Sequence, residues 1–124
     1  NYINKKDKKV FIATCGYLTH KAIKICDSLK GQVDIIDLFR IKPFPKKILN
    51  YLKKYKLVVT LEEQLAAGGF GATIQEEASD SYLNIKIKKF CLDDKFYFEN
   101  GGRDYLHSKY GLSSDKIKNF IKKI

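Results

Sequence analysis

Three short, mainly apolar runs limit most strongly how this 124-residue chain can fold. They occupy residues 10–15, 33–39 and 57–61, and each leads into a glycine, a proline-containing turn or a pair of glutamates. Runs of this length are too short for an ordinary helix, and successive apolar residues put apolar side chains on both faces of a strand. The sequence therefore predicts three strands of a parallel sheet, and the uninterrupted apolar runs 10–15 and 57–61 are expected to be buried.

Segments with helical spacing separate and follow these runs. Their predicted starts are Thr19 as an N-cap, Pro45, Phe70, Arg103, and Ser113 or Ser114. The side chains predicted to face the core are Ala22, Ile23, Cys26 and Leu29 in the first helix, Ile48, Leu49, Leu52 and Tyr55 in the second, and Ile117, Phe120 and Ile121 in the last. Residues 85–88 alternate apolar and basic, which is typical of an edge strand.

Strands that alternate with helices indicate an α/β protein with three layers, α/β/α, and right-handed crossovers. We expect a mainly parallel sheet of four to five strands. Residues 10–124 are predicted to form one domain, and residues 1–9 a linker or edge segment from an upstream part. The chain contains no methionine, so we expect that something upstream has been removed.

The net charge of +10 comes from 24 Lys and Arg against 14 Asp and Glu, and the whole excess lies before residue 57. Only Arg40 and Arg103 are arginines, although arginine is the residue that reads base edges and phosphates by paired hydrogen bonds. We therefore expect no nucleic-acid partner. No apolar run is long enough to suggest a membrane span, so we expect a cytoplasmic protein without a membrane partner.

Cysteine and histidine offer little chemistry in this sequence. Cys15, Cys26 and Cys91 form no C-x-x-C pair, and His107 has no partner at metal-ligand spacing, so no metal site is predicted. Cys15 and His20 lie near the end of one strand and could form a thiolate–imidazole pair. A free cysteine in an apolar strand is more often simply buried, which is the interpretation we favour.

The candidate contact surface lies where the parallel strands end, because ligands and partners of such sheets meet the carboxyl ends of the strands. We predict no catalytic and no cofactor-binding residue in this chain. The candidate interface or ligand residues are Gly16, His20, Glu62, Glu63, Gly68, Gly69, Phe70 and Gly71, with Arg103 as an anion contact.

The glycines at 68, 69 and 71 begin a helix directly after a strand, where backbone amides can hold an anion. The known phosphate fingerprints are absent, because no Gly-Lys-Ser/Thr follows and Ile74 stands where a dinucleotide loop has glycine. A structural role, in which glycine lets the helix pack closely, is favoured over ligand contact. Gly102 is likewise favoured as a cap, with Arg103 a surface base.

Glu62 and Glu63 could be a paired acid and base at a strand end. Adjacent residues in an extended chain point to opposite faces, however, so the two carboxyls are not expected to share a proton. We favour a salt bridge, or a cap on a nearby helix N-terminus, for each of them.

The order of these motifs resembles the C-terminal domain of transketolase-type thiamine diphosphate enzymes. The matching segments are 33–38, 41–43, 57–63, 68–72, 94–96, 99–106 and 110–112, followed by Ile117. The resemblance extends from about Val10 to Ile121. The Tyr110-Gly111-Leu112 ending is similar to those of transketolase C-terminal subunits and deoxyxylulose-phosphate synthases.

The resemblance implies a non-catalytic piece of an enzyme that transfers two-carbon ketol units between sugar phosphates. It implies that thiamine diphosphate and magnesium are bound in the full enzyme and that this chain binds no cofactor. The partners would be the upstream pyrimidine-binding and diphosphate-binding domains, and the full enzyme would be a homodimer. The loop from Glu62 to Phe70 would be the contact surface. The alternatives are the C-terminal domain of a deoxyxylulose-phosphate synthase, an E1 β subunit of a 2-oxoacid dehydrogenase, and a stand-alone α/β module that binds an anionic metabolite.

Overall fold

Helices and strands alternate along the chain in a computed structural model, which describes residues 9–124. The predicted linker or edge segment 1–9 lies outside the described residues, except for Lys9. The elements are β1 (Val10–Thr14), α1 (Leu18–Ser28), β2 (Val33–Asp37), a 3-10 turn (Lys46–Ile48), α2 (Leu49–Leu52), β3 (Leu57–Leu65), α3 (Phe70–Asp80), β4 (Ile87–Leu92), α4 (Arg103–Lys109) and α5 (Ser114–Lys122).

The described strands form one parallel sheet in the order β2-β1-β3-β4. Val10 of β1 is level with Val33 of β2 on one side and with Leu57 of β3 on the other. The chain first adds a strand to one side of β1 and then to the other, so the strand order reverses between β1 and β3. The predicted α/β class and the parallel sheet are confirmed.

Two apolar cores lie on opposite faces of the sheet, which explains why the strands are apolar on successive residues. Val10 and Ile12 of β1 pack in one core with α1 and α5. Phe11 and Ala13 of the same strand pack in the other core with α2 and α3. The three-layer arrangement follows from this alternation, since each face of a buried strand must be covered by a helix layer.

Helix α1 differs from the prediction in its start and in its buried face. The helix begins at Leu18, and Thr19 is no cap but lies in the first turn, where its buried hydroxyl has no hydrogen-bond partner within the described part of the chain. Leu18, Ala22 and Ile25 are the buried residues, while Ile23 is 43% exposed. The buried face therefore follows the helical spacing 18, 22, 25 and 29, from which Ile23 points away, so the placement of Ile23 in the core was wrong.

All four described strands have limits different from those predicted, and β1 and β2 end earlier, at Thr14 and Asp37. β3 continues past Leu61 through both glutamates to Leu65, and the edge strand β4 begins at Ile87 rather than Ile85. At the last helix the prediction is confirmed, because the Ser113 hydroxyl accepts a hydrogen bond of 3.2 Å from the Lys116 amide. Within residues 9–124, no helix combines the length and the apolar character that crossing a membrane requires.

The two isoleucines of α1 provide a matched test of this packing. Ile25→Ala removes a side chain that is 1% exposed, and we expect it to lower the free energy of unfolding by about 2–5 kcal/mol. Ile23→Ala changes a half-exposed position of the same helix and should cost less than about 1 kcal/mol. Chemical denaturation of both variants measures the difference, and equal losses would contradict the observed helix face.

Candidate functional site

The predicted surface residues gather at the carboxyl edge of the sheet, where the ends of β1 and β3 are neighbours. Gly16 follows β1, and both glutamates belong to β3. His20 is exposed on α1, and Cys15 is half-buried. Burial, together with the nearby carboxylates of Glu62, Asp37 and Glu63, raises the pKa of the Cys15 thiol. Because a raised pKa leaves less thiolate, this environment does not activate Cys15 as a nucleophile.

Glu62 is a buried glutamate that caps helix α3. Its side chain is held at the helix start, where the Gly71 amide donates to Oε1 at 3.0 Å and the Thr60 hydroxyl donates to the same oxygen at 3.4 Å. Backbone amides in the first turn of a helix have no partner within the helix, and a carboxylate also interacts favourably with the helix dipole. The expectation of a helix cap is therefore confirmed for Glu62.

The glycines around this cap make room for the carboxyl group. A Cβ atom on Gly71 would lie 2.6 Å from Thr60 Oγ1 and 2.7 Å from Glu62 Oε1, and one on Gly69 would collide with Glu62 Oε2 and the Leu65 carbonyl. Gly68 has φ +72°, a left-handed conformation that favours glycine. Close approach of helix to strand, the structural role favoured for this loop, is what the geometry shows.

Replacement of Gly71 tests the close approach. We expect Gly71→Ala to destabilise the chain by about 1–3 kcal/mol, because the added methyl group would push the helix away from Glu62. Alanine is otherwise the better helix former by about 1 kcal/mol, so propensity alone predicts the opposite sign. Ser79→Ala, on the exposed side of α3, is the control. A thermal melt showing Gly71→Ala more stable than wild type would contradict the steric account.

The second carboxyl oxygen of Glu62 has no such partner. Oε2 is buried without a hydrogen bond among the described residues, and the whole residue is 1% exposed. Burial raises the pKa of Glu62, an effect opposed in part by the hydrogen bonds from the Gly71 and Phe70 amides and the Thr60 hydroxyl and by the charge of Lys89. The folded chain therefore holds a proton on Glu62 more tightly than the unfolded chain does.

This linkage predicts how stability changes with pH. With a folded pKa above its ordinary value of 4.5, Glu62 contributes most below that pH, and its contribution falls as pH rises through the folded pKa. Glu62→Gln removes the titration, so the wild type should lose stability relative to this variant as the pH rises above 4.5 and through the folded pKa of Glu62. Urea denaturation across this range measures the difference. The control is Glu76→Gln, an exposed glutamate of α3, and a gap that widens in favour of the wild type would refute the sign.

Glu63 points away from its neighbour and joins β3 to α4. Its Oε1 atom accepts from Arg103 Nε at 2.8 Å and from His107 Nε2 at 2.7 Å. The salt bridge favoured for one of the glutamates is thus confirmed for Glu63. Gly102 is the N-cap residue of α4, with φ +79°, and the guanidinium of Arg103 lies 4.1 Å from the centre of the Tyr17 ring. Arg103 as a contact for an outside anion stays a prediction, since here its partner is Glu63.

The tautomer of His107 follows from its second neighbour. Its Nδ1 atom lies 3.1 Å from Lys21 Nζ, which also donates to the Leu112 carbonyl at 3.1 Å. An ammonium group only donates, so Nδ1 accepts and the ring proton resides on Nε2, facing Glu63. Burial lowers the pKa of Lys21, an effect opposed by Asp104 and Glu63. This chain of contacts fastens α4 to α1 and to the sheet.

Sequence reasoning missed the partners of His107. Lys21 and Glu63 lie far from it along the chain, 86 and 44 residues away, and no local spacing signals such contacts. Over residues 9–124, no group of three or more His, Cys, Asp or Glu side chains is placed to hold a metal ion. The polar groups at this edge are engaged mainly with one another, in contacts that position helices α3 and α4.

Comparison with known proteins agrees with this fold. The family model described as "Transketolase, C-terminal domain" matches residues 2–117. The chain therefore belongs to the transketolase C-terminal domain family, a class of domain found within larger thiamine diphosphate-dependent enzymes.

Individual relatives give the resemblance more detail. The chain is 31% identical to the 1-deoxy-D-xylulose-5-phosphate synthase of Exiguobacterium sibiricum over 126 residues, which cover 96% of this chain and 20% of that protein. It is 34% identical to the synthase of Clostridium perfringens, with 96% and 20% covered. A solved structure named "Split gene transketolase, inactive beta4 tetramer" superposes with a TM-score of 0.79 at 28% identity, over 96% of this chain and 40% of that one. The chain thus spans about a fifth of the length of these curated relatives.

Proposed function

We propose that this chain is the non-catalytic C-terminal domain of a transketolase-type enzyme and that it serves packing and dimer assembly. The observation that supports this proposal best is the use of both edge glutamates as structural groups. Glu62 caps α3, and Glu63 binds Arg103 and His107. A residue that acts as an acid or base must reach the substrate, and these two carboxyls face the chain's own amides and cations instead.

The geometry of the glycine loop does not fit the diphosphate group of thiamine diphosphate. The amide that such a group would use at the start of α3 already donates to Glu62, and a negatively charged phosphate would meet that carboxyl group. We therefore assign the cofactor and its magnesium to the upstream pyrimidine-binding and diphosphate-binding domains of the full enzyme. The full enzyme is proposed to act in the cytoplasm.

Among activities, the names of the curated relatives favour a deoxyxylulose-phosphate synthase. Ketol transfer between sugar phosphates is the second candidate activity, because the structural neighbour is named a transketolase. Both activities transfer a two-carbon unit on the same cofactor, so the role proposed for this domain is the same in either enzyme.

The proposed contact surface is the loop tip, defined as residues 64–68 at the end of β3 and the start of the connection to α3. Residues 64–68 are exposed, and Leu65 presents a large apolar side chain that is 37% exposed. Lys89 of β4 stabilises the conformation of this surface, because its ammonium group donates a hydrogen bond of 2.9 Å to the Ala66 carbonyl. An apolar tip held in place by its own hydrogen bonds suits a packing contact with another domain, because little conformational entropy is lost on docking.

Charge placed at the loop tip tests the assembly role. In the full reading frame, or with the upstream subunit co-expressed, we expect Leu65→Lys to weaken assembly at least about tenfold, because it would bury a charge at the interface. The melting temperature of the isolated variant should stay near that of the wild type. Ile23→Lys is the matched control, at a position 43% exposed on α1.

Sedimentation velocity measures the association, and deoxyxylulose-phosphate synthesis reports its consequence. If the Leu65→Lys variant associates as tightly as the wild type, the interface lies elsewhere on the domain. No association of the wild-type chain with the upstream part would overturn the proposed function itself.

A further inference from the structure

A basic groove runs along the outer side of the edge strand β4. Its volume is about 460 Å³, within the range of small-ligand sites. Five lysines and one aspartate line it. The second half of the chain has no net charge, so this concentration of cations is a local feature of the fold.

Two of the five lysines are occupied by partners of their own. Lys89 donates to the Ala66 carbonyl and to Gln75, and Lys109 pairs with Glu99. Lys95 Nζ lies 4.0 Å from Asp93 in an exposed contact, and it also lies 5.5 Å and 4.9 Å from the centres of the Tyr97 and Tyr110 rings. Lys95 and Lys109 therefore each have a carboxylate partner, whereas the partners of Lys89 are uncharged.

The remaining two lysines, Lys88 and Lys116, lie beside aromatic rings and a glycine rather than a carboxylate of the described residues. Lys88 Nζ lies 5.7 Å from the centre of the Phe90 ring and 5.8 Å from that of Phe120. Lys116 is folded over Gly111, so closely that a Cβ atom there would lie 3.0 Å from Lys116 Nζ. Within residues 9–124, neither ammonium group forms a salt bridge, and ring faces hold a cation without cancelling its charge.

Lysines on an edge strand often serve only to prevent pairing with another strand. That role accounts for Lys88, but it does not account for Lys116, which belongs to α5 and is brought to the same groove by the turn at Gly111. Two cations from separate elements that line one groove match a compact dianion better than they match scattered surface charges.

We propose that this groove binds the phosphate or diphosphate group of a small metabolite, with Lys88 and Lys116 as the principal ligands. The groove adjoins the glycine loop through Lys89, but the proposed ligands do not belong to that loop, and the proposal does not depend on the assembly role proposed above. Lysine suits this task as a point charge for phosphate oxygens.

Titration of the 124-residue chain with inorganic diphosphate at low ionic strength, followed by amide NMR, tests the proposal. We expect saturable shifts centred on residues 88–91, 111 and 116. Lys88→Gln and Lys116→Gln should each weaken binding about two- to fivefold, the range expected for one exposed ion pair. The matched control is Lys54→Gln, which removes an exposed lysine lying 5.4 Å from the Tyr51 ring and should leave the affinity unchanged.

Three results would overturn the proposal. One is the absence of saturable shifts in the groove, and another is an equal loss of affinity in the Lys54→Gln control, which would indicate attraction to net charge alone. The third is that hexaglutamate binds more tightly than diphosphate and shifts the amide NMR signals along β4. This result would indicate that the groove binds an acidic peptide strand. The NMR spectrum of each variant shows whether it is folded. If Lys88→Gln disturbs the aromatic packing, the Lys116→Gln variant still tests the proposal, because Lys116 is exposed.

Discussion

The hydrogen bond between the Gly71 amide and the buried Glu62 carboxyl group determines much of the geometry at the carboxyl edge of the sheet. It fixes the start of α3 against the end of β3, and it requires glycine where a side chain would displace the carboxyl oxygens. Residues 64–68, at the end of β3 and the start of the connection to α3, are exposed beside this cap. A buried carboxyl with one unpartnered oxygen is costly, so this cap exchanges some stability for a defined position of the helix.

Successive side chains of a strand point to opposite faces, so the two neighbouring glutamates contact different helices. Glu62 faces α3, while Glu63 reaches the cations of α4 on the other side. His107 and Lys21 continue the second set of contacts to α1, so one edge of the sheet anchors three helices. Side chains that bind one another in this way position the helices and are not free to act on a substrate, which is consistent with a domain whose proposed role is assembly.

Much of this arrangement could be predicted from the sequence, because its signals are local. Uninterrupted apolar runs predicted strands covered on both faces, and the extended pair Glu62–Glu63 predicted two separate uses. The start of α1 could not be predicted so well, since Thr19 is a good cap by residue type but the tertiary packing of Leu18 starts the helix earlier. The contact of His107 with Glu63 depends on how α4 docks across the sheet, for which local spacing gives no signal.

The decisive measurement is a structure of the complete enzyme with thiamine diphosphate bound. We expect residues 64–68 to be buried against an upstream domain, Glu62 to accept a hydrogen bond from the Gly71 amide as it does here, and the cofactor to lie away from both glutamates. A hydrogen bond between the cofactor and Glu62 or Glu63 would show instead that this edge of the sheet takes part in the chemistry.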